Sequence, residues 1–161
     1  MTRPVCDRIL AGGTRSVIRR AGEAIGRVAC AGDSIALVGP LGAGKTYFVQ
    51  AIARGLGIPR AVRITSPTFT LVQTHDEGRV PLVHADWYRL ERAVDVRDLA
   101  LFELSDALLT VVEWADRCES EFPCDALWIE FDRVSSRSRR LRAGGSGERV
   151  QRLVSAAQRA S

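Results

Sequence analysis

Four residues in the segment "GPLGAGKT" have the types and spacing of a phosphate-binding loop, or P-loop. Gly39, Gly44, Lys45 and Thr46 fit the pattern G-x-x-x-x-G-K-[ST] completely, and Gly42 adds a further flexible position. Glycines let successive backbone N–H groups turn toward one anion, and the N-terminus of the following helix adds the positive end of its dipole. The lysine then reaches the outer phosphates of a nucleotide and the threonine hydroxyl reaches Mg²⁺.

The chain's single lysine strengthens this interpretation. Of the 23 lysine and arginine residues, all except Lys45 are arginine. An ammonium is a compact point charge, whereas a guanidinium is a planar fork that would not replace it in the loop. A lysine at this one place is therefore typical of phosphate binding.

A Mg²⁺-dependent P-loop also needs a carboxylate at the end of a neighbouring strand. "PLVHAD" ends in Asp86, "LLTVVE" ends in Glu113, and "LWIEFD" contains Glu130 and Asp132. Because ligands gather at the carboxyl ends of strands in open α/β sheets, Asp86 and Glu113 are favoured. A helix cap or a surface ion pair is the alternative role for each acid.

The segment "TSPTFT" places four hydroxyl groups around Pro67, on Thr65, Ser66, Thr68 and Thr70. It resembles a switch loop, which senses the γ-phosphate or its Mg²⁺ and changes its order after hydrolysis. A proline turn with ordinary strand-forming threonines is the other interpretation. The residues leave both open.

The hydrophobic periodicity predicts an α/β alternation. Thr14 caps a first helix, and Asp95 caps a later one over residues 95–108. The segment Tyr47 to Leu56 reads as a helix closed by Gly57. Strands are predicted at Ser34–Val38, Ala61–Ile64, Thr70–Thr74, Arg79–Ala85, Leu108–Val112 and Ala126–Phe131. We therefore expect a single-domain α/β P-loop NTPase with a mostly parallel central sheet flanked by helices, and an antiparallel hairpin around "HDEG".

Composition limits the class of protein. The chain has 161 residues, 46% apolar and 26% charged, which suits one packed domain. No apolar run approaches the ~20 residues of a membrane span, and the amino terminus lacks the apolar core of a secretory signal. The four cysteines form no C-x-x-C pair, which favours reduced thiols in a cytoplasmic protein over a structural zinc site.

Basic charge concentrates at the carboxyl end. Residues 133–161 hold eight arginines against the single acid Glu148, whereas residues 1–132 carry a charge of −3. This segment could attract RNA or an acidic partner, but no aromatic residue interleaves the arginines, which favours a solvated tail. We expect a P-loop ATPase domain over 1–132, followed by a last hairpin strand and a tail over 133–161.

Four motifs together resemble the TsaE family, the bacterial ATPases of tRNA threonylcarbamoyladenosine biosynthesis. They are "GPLGAGKT", "SPTFTLV", "HADWYRL" and "VVEWAD", in the family's order and approximate spacing, and the resemblance covers about residues 13–132. It implies a weak ATPase that works with TsaD and TsaB, meets tRNA only through that complex, and binds neither DNA nor membrane. It also implies that ATP and Mg²⁺ are the ligands.

The resemblance assigns roles to individual residues. Gly42, Ala43, Gly44, Lys45 and Thr46 would bind ATP, and Thr46 and Glu113 would ligate Mg²⁺. Lys45, Asp86 and Glu113 are the expected catalytic residues. The remaining expected nucleotide contacts are Tyr47, Thr68 and Trp114. Tyr47 stands where the family usually has a second threonine or serine.

Other P-loop classes remain as alternatives. A small-molecule kinase would pair the loop with the same strand-end acids and add an arginine lid, for which Arg89, Arg92 and Arg97 are the candidates. A GTP-dependent switch is disfavoured, because guanine readers commonly use an N-K-x-D turn and the chain has no asparagine. An adaptor that binds nucleotide without hydrolysis would differ only in the competence of its catalytic acid.

Overall fold

The computed structural model describes residues 3–90, 101 and 105–161. Within these ranges the chain forms seven strands and three α-helices. The strands are β1 (Arg8–Gly13), β2 (Ser34–Val38), β3 (Val72–His75), β4 (Leu82–Asp86), β5 (Leu109–Glu113), β6 (Leu127–Arg133) and β7 (Arg139–Gly144). The helices are α1 (Arg15–Val28), α2 (Lys45–Gly55) and α3 (Glu148–Ala160), and short 3₁₀ turns lie at Ser105–Ala107, Ala115–Arg117 and Glu119–Glu121.

All seven strands form one sheet in the order β1-β7-β6-β2-β5-β4-β3. β2 lies at its centre, parallel to β5 and β6, and β4 is parallel to β5. The outer pairs β1–β7, β6–β7 and β3–β4 are antiparallel. The predicted α/β fold is confirmed, but the sheet is mixed and not mostly parallel, because antiparallel strands extend both edges of a parallel centre.

The P-loop helix α2 lies against α1 through two glycines. A Cβ atom on Gly26 would come within 2.1 Å of the Ile52 carbonyl oxygen, and one on Gly55 would come within 2.1 Å of the Glu23 oxygen. Such distances leave no room for a side chain, so the backbones of the two helices touch. This contact fixes α2 against α1, and the buried residues Phe48 and Ile52 of α2 join the main core.

Alternate residues of the central strands face two cores. Ile35 and Leu37 of β2 face the helices, whereas Ala36 and Val38 face a second cluster. That second cluster includes Trp87, Phe122 and Trp128, whose rings pack edge-on or tilted at centroid distances of 4.9–5.1 Å. Burial on both faces explains why β2 reads as a continuous apolar run.

The carboxyl-terminal segment differs from the expected tail. Residues 148–160 form α3, and its Val150, Leu153, Val154 and Ala157 are buried at helical spacing against the core. An ion pair joins this helix to the sheet, since Arg152 Nη2 lies 2.6 Å from the carboxylate of Asp33, a residue 2% exposed.

Several of the carboxyl-terminal arginines make intramolecular contacts. Arg142 pairs with Asp132 at 2.8 Å and with Glu130 at 3.2 Å. Arg139 Nε donates to the carbonyl oxygen of Ala43 at 3.1 Å and so supports the P-loop. These arginines therefore stabilise the fold, and the arginine-rich segment is not simply solvated.

Two further expectations differ from the structure. Ala61–Ile64 is not a strand, because Arg54 of α2 donates to the carbonyl oxygens of Ile58 and Val62 and holds the segment as a loop. β1 was not predicted, since its short segment "RILAGG" ends in two glycines and gains its partner, β7, only from the far end of the chain.

The remaining elements agree with the sequence analysis. The first helix, the P-loop strand and helix, the β3–β4 hairpin, β5 and β6 are confirmed within a few residues. Most of the helix predicted over residues 95–108 lies outside the described residues. Along the described ranges, no helix combines the length and apolar character that crossing a membrane requires.

Candidate nucleotide-binding site

The P-loop connects the end of central strand β2 to the start of α2. Gly42 and Gly44 have φ angles of 74° and 106°, which L-residues with side chains rarely adopt. A Cβ atom at either glycine would have no neighbour within 4 Å, so both face open space. Backbone conformation, rather than crowding, thus explains glycine here, and glycine-rich turns of this kind form anion-binding concavities.

Lys45 is the first residue of α2 and is only 4% exposed. Its Nζ donates to the carbonyl oxygens of Gly39 at 2.6 Å and Pro40 at 3.0 Å, and lies 3.7 Å from the centroid of the Trp114 ring. Burial lowers the pKa of this ammonium, while the charges of Glu113, Asp116 and Asp86 oppose that shift. The charge is thus held inside the loop by oxygens, an aromatic face and nearby carboxylates.

Glu113 ends β5 and is held at both carboxylate oxygens. The Thr46 hydroxyl donates to Oε2 at 2.9 Å, and His84 Nε2 lies 2.8 Å from Oε1. Glu113 is 3% exposed and His84 is fully buried. The structure therefore brings the P-loop threonine and the predicted strand-end acid into direct contact.

Asp86 ends the neighbouring strand β4, in register with Glu113. Its Oδ2 accepts hydrogen bonds from the hydroxyls of Ser66 and, at 3.1 Å, Thr68. Its Oδ1 accepts from the backbone N–H of Tyr88 at 2.8 Å. This acid is bound to the proline-containing segment that the sequence analysis interpreted as a possible switch.

Trp114 follows Glu113 in a left-handed conformation, with φ 59° and ψ 38°. Positive φ is uncommon for a residue with a side chain and often marks a functional position. The Trp114 ring packs on Tyr88 at a centroid distance of 4.9 Å and on the Lys45 ammonium. The turn thus places an aromatic wall beside the loop.

All of the predicted site residues line one pocket of about 400 Å³. They are Gly42, Ala43, Gly44, Lys45, Thr46, Tyr47, Thr68, Asp86, Glu113 and Trp114. Leu41, Ser66 and Tyr88 complete the lining. That these residues bind nucleotide and metal remains a prediction; the structure brings them together.

A second pocket of about 580 Å³ opens across the P-loop and shares Gly42, Ala43, Gly44 and Tyr47 with the first. Its other lining residues are Thr14, Arg15, Ser16, Ile18, Ser136, Arg137 and Arg139. The Arg15 guanidinium lies 4.6 Å from the centroid of the Tyr47 ring. The loop therefore separates two adjoining cavities.

The other candidate acids lie elsewhere. Glu130 and Asp132 point to arginines on the β6–β7 hairpin, where Arg142 pairs with both and Arg3 contacts Glu130 at 3.4 Å. Within the described residues, no group of three or more histidine, cysteine, aspartate or glutamate side chains could hold a metal ion by itself. A Mg²⁺ site at Thr46 and Glu113 would thus depend on phosphate and water oxygens for its remaining ligands, as is usual for Mg²⁺ bound with nucleotides.

His84 is the main site residue that the sequence analysis missed. It lies two positions before Asp86, so the alternation of a strand places both side chains on one face. A histidine inside the apolar run "PLVHAD" was the available signal. Its contact with Glu113 depends on the β4–β5 register, which the sequence does not give.

Comparison with known proteins identifies the family. Residues 14–141 match the family model of the threonylcarbamoyl adenosine biosynthesis protein TsaE. The chain is similar to the tRNA threonylcarbamoyladenosine biosynthesis protein TsaE of Bacillus subtilis, with 39% identity over 76% of this chain and 75% of that protein. The protein of the same name from Streptomyces coelicolor is 38% identical over 82% of this chain and 93% of the relative.

A solved structure has the same fold. The crystal structure of Bacillus subtilis YdiB superimposes with a TM-score of 0.75 and 30% sequence identity, covering 90% of this chain and 89% of the other. The matched region includes the P-loop, both strand-end acids and the "SPTFTLV" segment. The chain therefore belongs to the TsaE family.

Proposed function

We propose that this chain binds ATP with Mg²⁺ and hydrolyses it slowly in support of tRNA threonylcarbamoyladenosine biosynthesis. The observation that carries the proposal is the contact of Thr46 Oγ1 with Glu113 Oε2 at 2.9 Å, directly beside the buried ammonium of Lys45. The pocket thus holds the threonine and lysine of a P-loop together with a strand-end acid. Phosphoryl transfer to water requires this arrangement.

The chain's own groups can bind a triphosphate without rearranging the fold. The amino end of α2 begins at Lys45 in the pocket, and a helix N-terminus favours negative charge. Lys45 Nζ now donates to two carbonyl oxygens of its own loop, and phosphate oxygens would accept from the same ammonium. Because the ammonium is buried, its attraction to phosphate is screened less than at a surface.

Thr46 and Glu113 fit a Mg²⁺ ion by chemistry, since hydroxyl and carboxylate oxygens are the ligands that this hard cation takes. The ion, when bound, would neutralise the charge on the β- and γ-phosphates. Asp86 is close enough to the phosphate pocket to orient an attacking water or the adjoining loop, because its carboxylate lines the same pocket.

The purine and ribose are assigned to the second pocket. It adjoins the phosphate pocket through Gly42, Ala43 and Gly44, so one extended ligand can occupy both. Tyr47 lines both cavities and offers an aromatic edge to such a ligand.

The pathway is proposed from the family and its members. Relatives named for tRNA threonylcarbamoyladenosine biosynthesis share 34–46% identity with this chain. We accordingly propose TsaD and TsaB as the protein partners, with tRNA met through their complex, in the cytoplasm. Family membership favours this accessory ATPase over a small-molecule kinase. Of the kinase lid candidates, Arg89 stacks on the Phe69 ring at 4.2 Å, and Arg92 and Arg97 lie outside the described residues.

Phosphate release from ATP by the purified chain tests the proposal. It should be slow for the chain alone, should need Mg²⁺, and should change when TsaD, TsaB and tRNA are added together. Transfer of phosphate to a small acceptor, with no response to the partners, would instead identify a kinase.

A further inference from the structure

His84 lies at a place in the sheet where an apolar residue would normally stand. It is fully buried in β4, and its strand neighbours Leu82, Val83 and Ala85 are buried apolar residues. Leu82, on the same side of the strand, belongs to the main hydrophobic core. Placing an imidazole among such residues is unfavourable unless its polar atoms find partners.

Among the residues that the structure describes, only one ring nitrogen of His84 has a hydrogen-bond partner. Nε2 lies 2.8 Å from Glu113 Oε1, whereas Nδ1 is buried without any hydrogen-bond partner in the described parts of the chain. Because a carboxylate oxygen accepts, Nε2 is the nitrogen that carries the proton. An unsatisfied buried nitrogen costs stability, so a histidine retained only for packing would be a poor choice.

The bond from His84 fixes how Glu113 faces the P-loop. With Oε1 held from β4, the other oxygen, Oε2, accepts from the Thr46 hydroxyl of α2. The carboxylate is thus bound from two different elements and cannot rotate freely. In protein metal sites, groups that bond to a ligand in this way orient it and contribute to metal affinity.

We propose that His84 is a positioning residue, whose Nε2–H holds Glu113 so that Oε2 stays directed at Thr46 and at the Mg²⁺ of the bound nucleotide. This inference rests on the proposed function, because it assigns His84 to the metal side of that site. It predicts that loss of the Nε2–H donor selectively weakens Mg²⁺ binding at the nucleotide site, while metal-free nucleotide binding is preserved.

Three substitutions at this position distinguish loss of the hydrogen-bond donor from loss of side-chain packing. His84→Gln keeps an N–H donor near the place of Nε2, His84→Asn keeps a shorter amide that does not reach as far, and His84→Leu keeps volume only. His75→Leu is the matched control. His75 lies on adjacent β3, is 4% exposed, and like His84 has a buried nitrogen without a hydrogen-bond partner among the described residues.

The test measures binding of a fluorescent ATP analogue across a Mg²⁺ titration and again in EDTA, together with melting temperatures. His84→Leu and His84→Asn should raise the Mg²⁺ concentration at half-maximal binding about 10–100-fold, the usual cost of losing such a partner. Their affinity in EDTA should stay within about threefold of wild type, since His84 is not among the residues that line the phosphate pocket. His84→Gln and His75→Leu should both keep a wild-type Mg²⁺ midpoint.

Several results would overturn this role. One is a folded His84→Leu with an unchanged midpoint, and another is an equal shift in His75→Leu, which would point to general loosening of the sheet. If His84→Leu does not fold, equal Mg²⁺ midpoints for His84→Asn and His84→Gln would overturn the role in its place. An NMR measurement of the His84 ring separates failure of this role from failure of the proposed function. It should show the Nε2–H tautomer, lost in Glu113→Ala, whether or not the wild type responds to Mg²⁺.

Discussion

The ends of the neighbouring strands β4 and β5 carry carboxylates that lie in register but contact different parts of the chain. Asp86 and Glu113 are each 3% exposed and line the same pocket. At the end of β5, Glu113 bonds to Thr46 of the P-loop helix and to buried His84. Both partners belong to regular elements, so this carboxylate has a rigid surrounding.

At the end of β4, Asp86 bonds to residues outside helices and strands. It binds the hydroxyls of Ser66 and Thr68 and the N–H of Tyr88, all from irregular segments. Loops have fewer buried contacts than helices and strands and change conformation more easily. The β5 end is therefore suited to hold a metal ion in one geometry. The β4 end is suited to couple the proline-containing segment to the nucleotide.

Replacing Lys45 should have the largest effect, because it removes the cation that both strand ends face. Lys45→Ala should reduce ATP binding or turnover on the order of 100-fold or more, the usual range for one preorganised donor at a developing charge. Calorimetric titration with ATP and phosphate release measure this. Lys45→Arg should also be defective, because a guanidinium cannot take the place of the compact ammonium.

The fold should survive this substitution. Burial lowers the pKa of Lys45, which means that the folded protein disfavours its charged form, so its loss need not destabilise the protein. A melting temperature close to wild type together with full ATPase activity would exclude the P-loop assignment.

Neutralising the β5 carboxylate should have the next largest effect. Glu113→Gln keeps the shape of the side chain but removes the charge that a Mg²⁺ ion needs. We expect about a 10–100-fold loss of Mg²⁺-dependent turnover and a smaller loss of metal-free nucleotide binding. Glu130→Gln is the matched control, since that acid pairs with Arg142 away from the pocket. If Glu130→Gln lost more turnover than Glu113→Gln, the metal would have to be assigned to the end of β6.

Neutralising the β4 carboxylate should affect the loop more than the metal. Asp86→Asn weakens charge-assisted bonds to Ser66 and Thr68, each worth about 1.5–3 kcal/mol at most. Turnover should fall about tenfold while the Mg²⁺ midpoint stays near wild type, and hydrogen exchange over 65–72 should become faster. An Asp86→Asn variant with the same Mg²⁺ defect as Glu113→Gln would show that the two strand ends are not functionally distinct.

The β4 and β5 ends also show which features the sequence could predict. Gly39 to Thr46, Asp86 and Glu113 were predicted because their chemistry depends on local residue types at the end of an apolar run. The His84–Glu113 bond was not, since it depends on the register of two strands that lie far apart in the sequence. The helix over residues 148–160 was not predicted: the segment was expected to be a solvated tail, although Val150, Leu153 and Val154 have amphipathic spacing.

The edges of the sheet were harder to predict for the same reason. β1 lies at one edge and pairs with β7 across almost the whole chain, so its segment carries no local signal of its partner, whereas β7 also forms a hairpin with β6. Arg139 and Arg152 looked like solvent-exposed charges, yet one supports the Ala43 carbonyl and the other binds buried Asp33. Long-range pairing, and not intrinsic propensity, determined these parts of the fold.

The smallest effect on nucleotide affinity is expected at Thr68, where the difference between the two strand ends can be tested most directly. Thr68 donates to Asp86 at 3.1 Å and shares a 2.9 Å hydroxyl contact with Ser66. Losing one such bond costs about 1 kcal/mol, so Thr68→Ala should keep ATP affinity within a few-fold of wild type. Because Ser66 also binds Asp86, the segment has two ways to stay attached, and losing one should shift its order without releasing it. We therefore expect a much larger loss in ATPase stimulation by the partner proteins, or in assembly with them, than in ATP affinity.

Hydrogen exchange over residues 65–72 in the ATP-bound and ADP-bound protein gives the direct measurement. Thr70→Ala is the control, because Thr70 lies on the same segment and has no side-chain bond to Asp86 in the described structure. Identical protection with both nucleotides, together with a fully active Thr68→Ala, would mean that the β4 end holds an ordinary turn and that only the β5 end takes part in the nucleotide cycle.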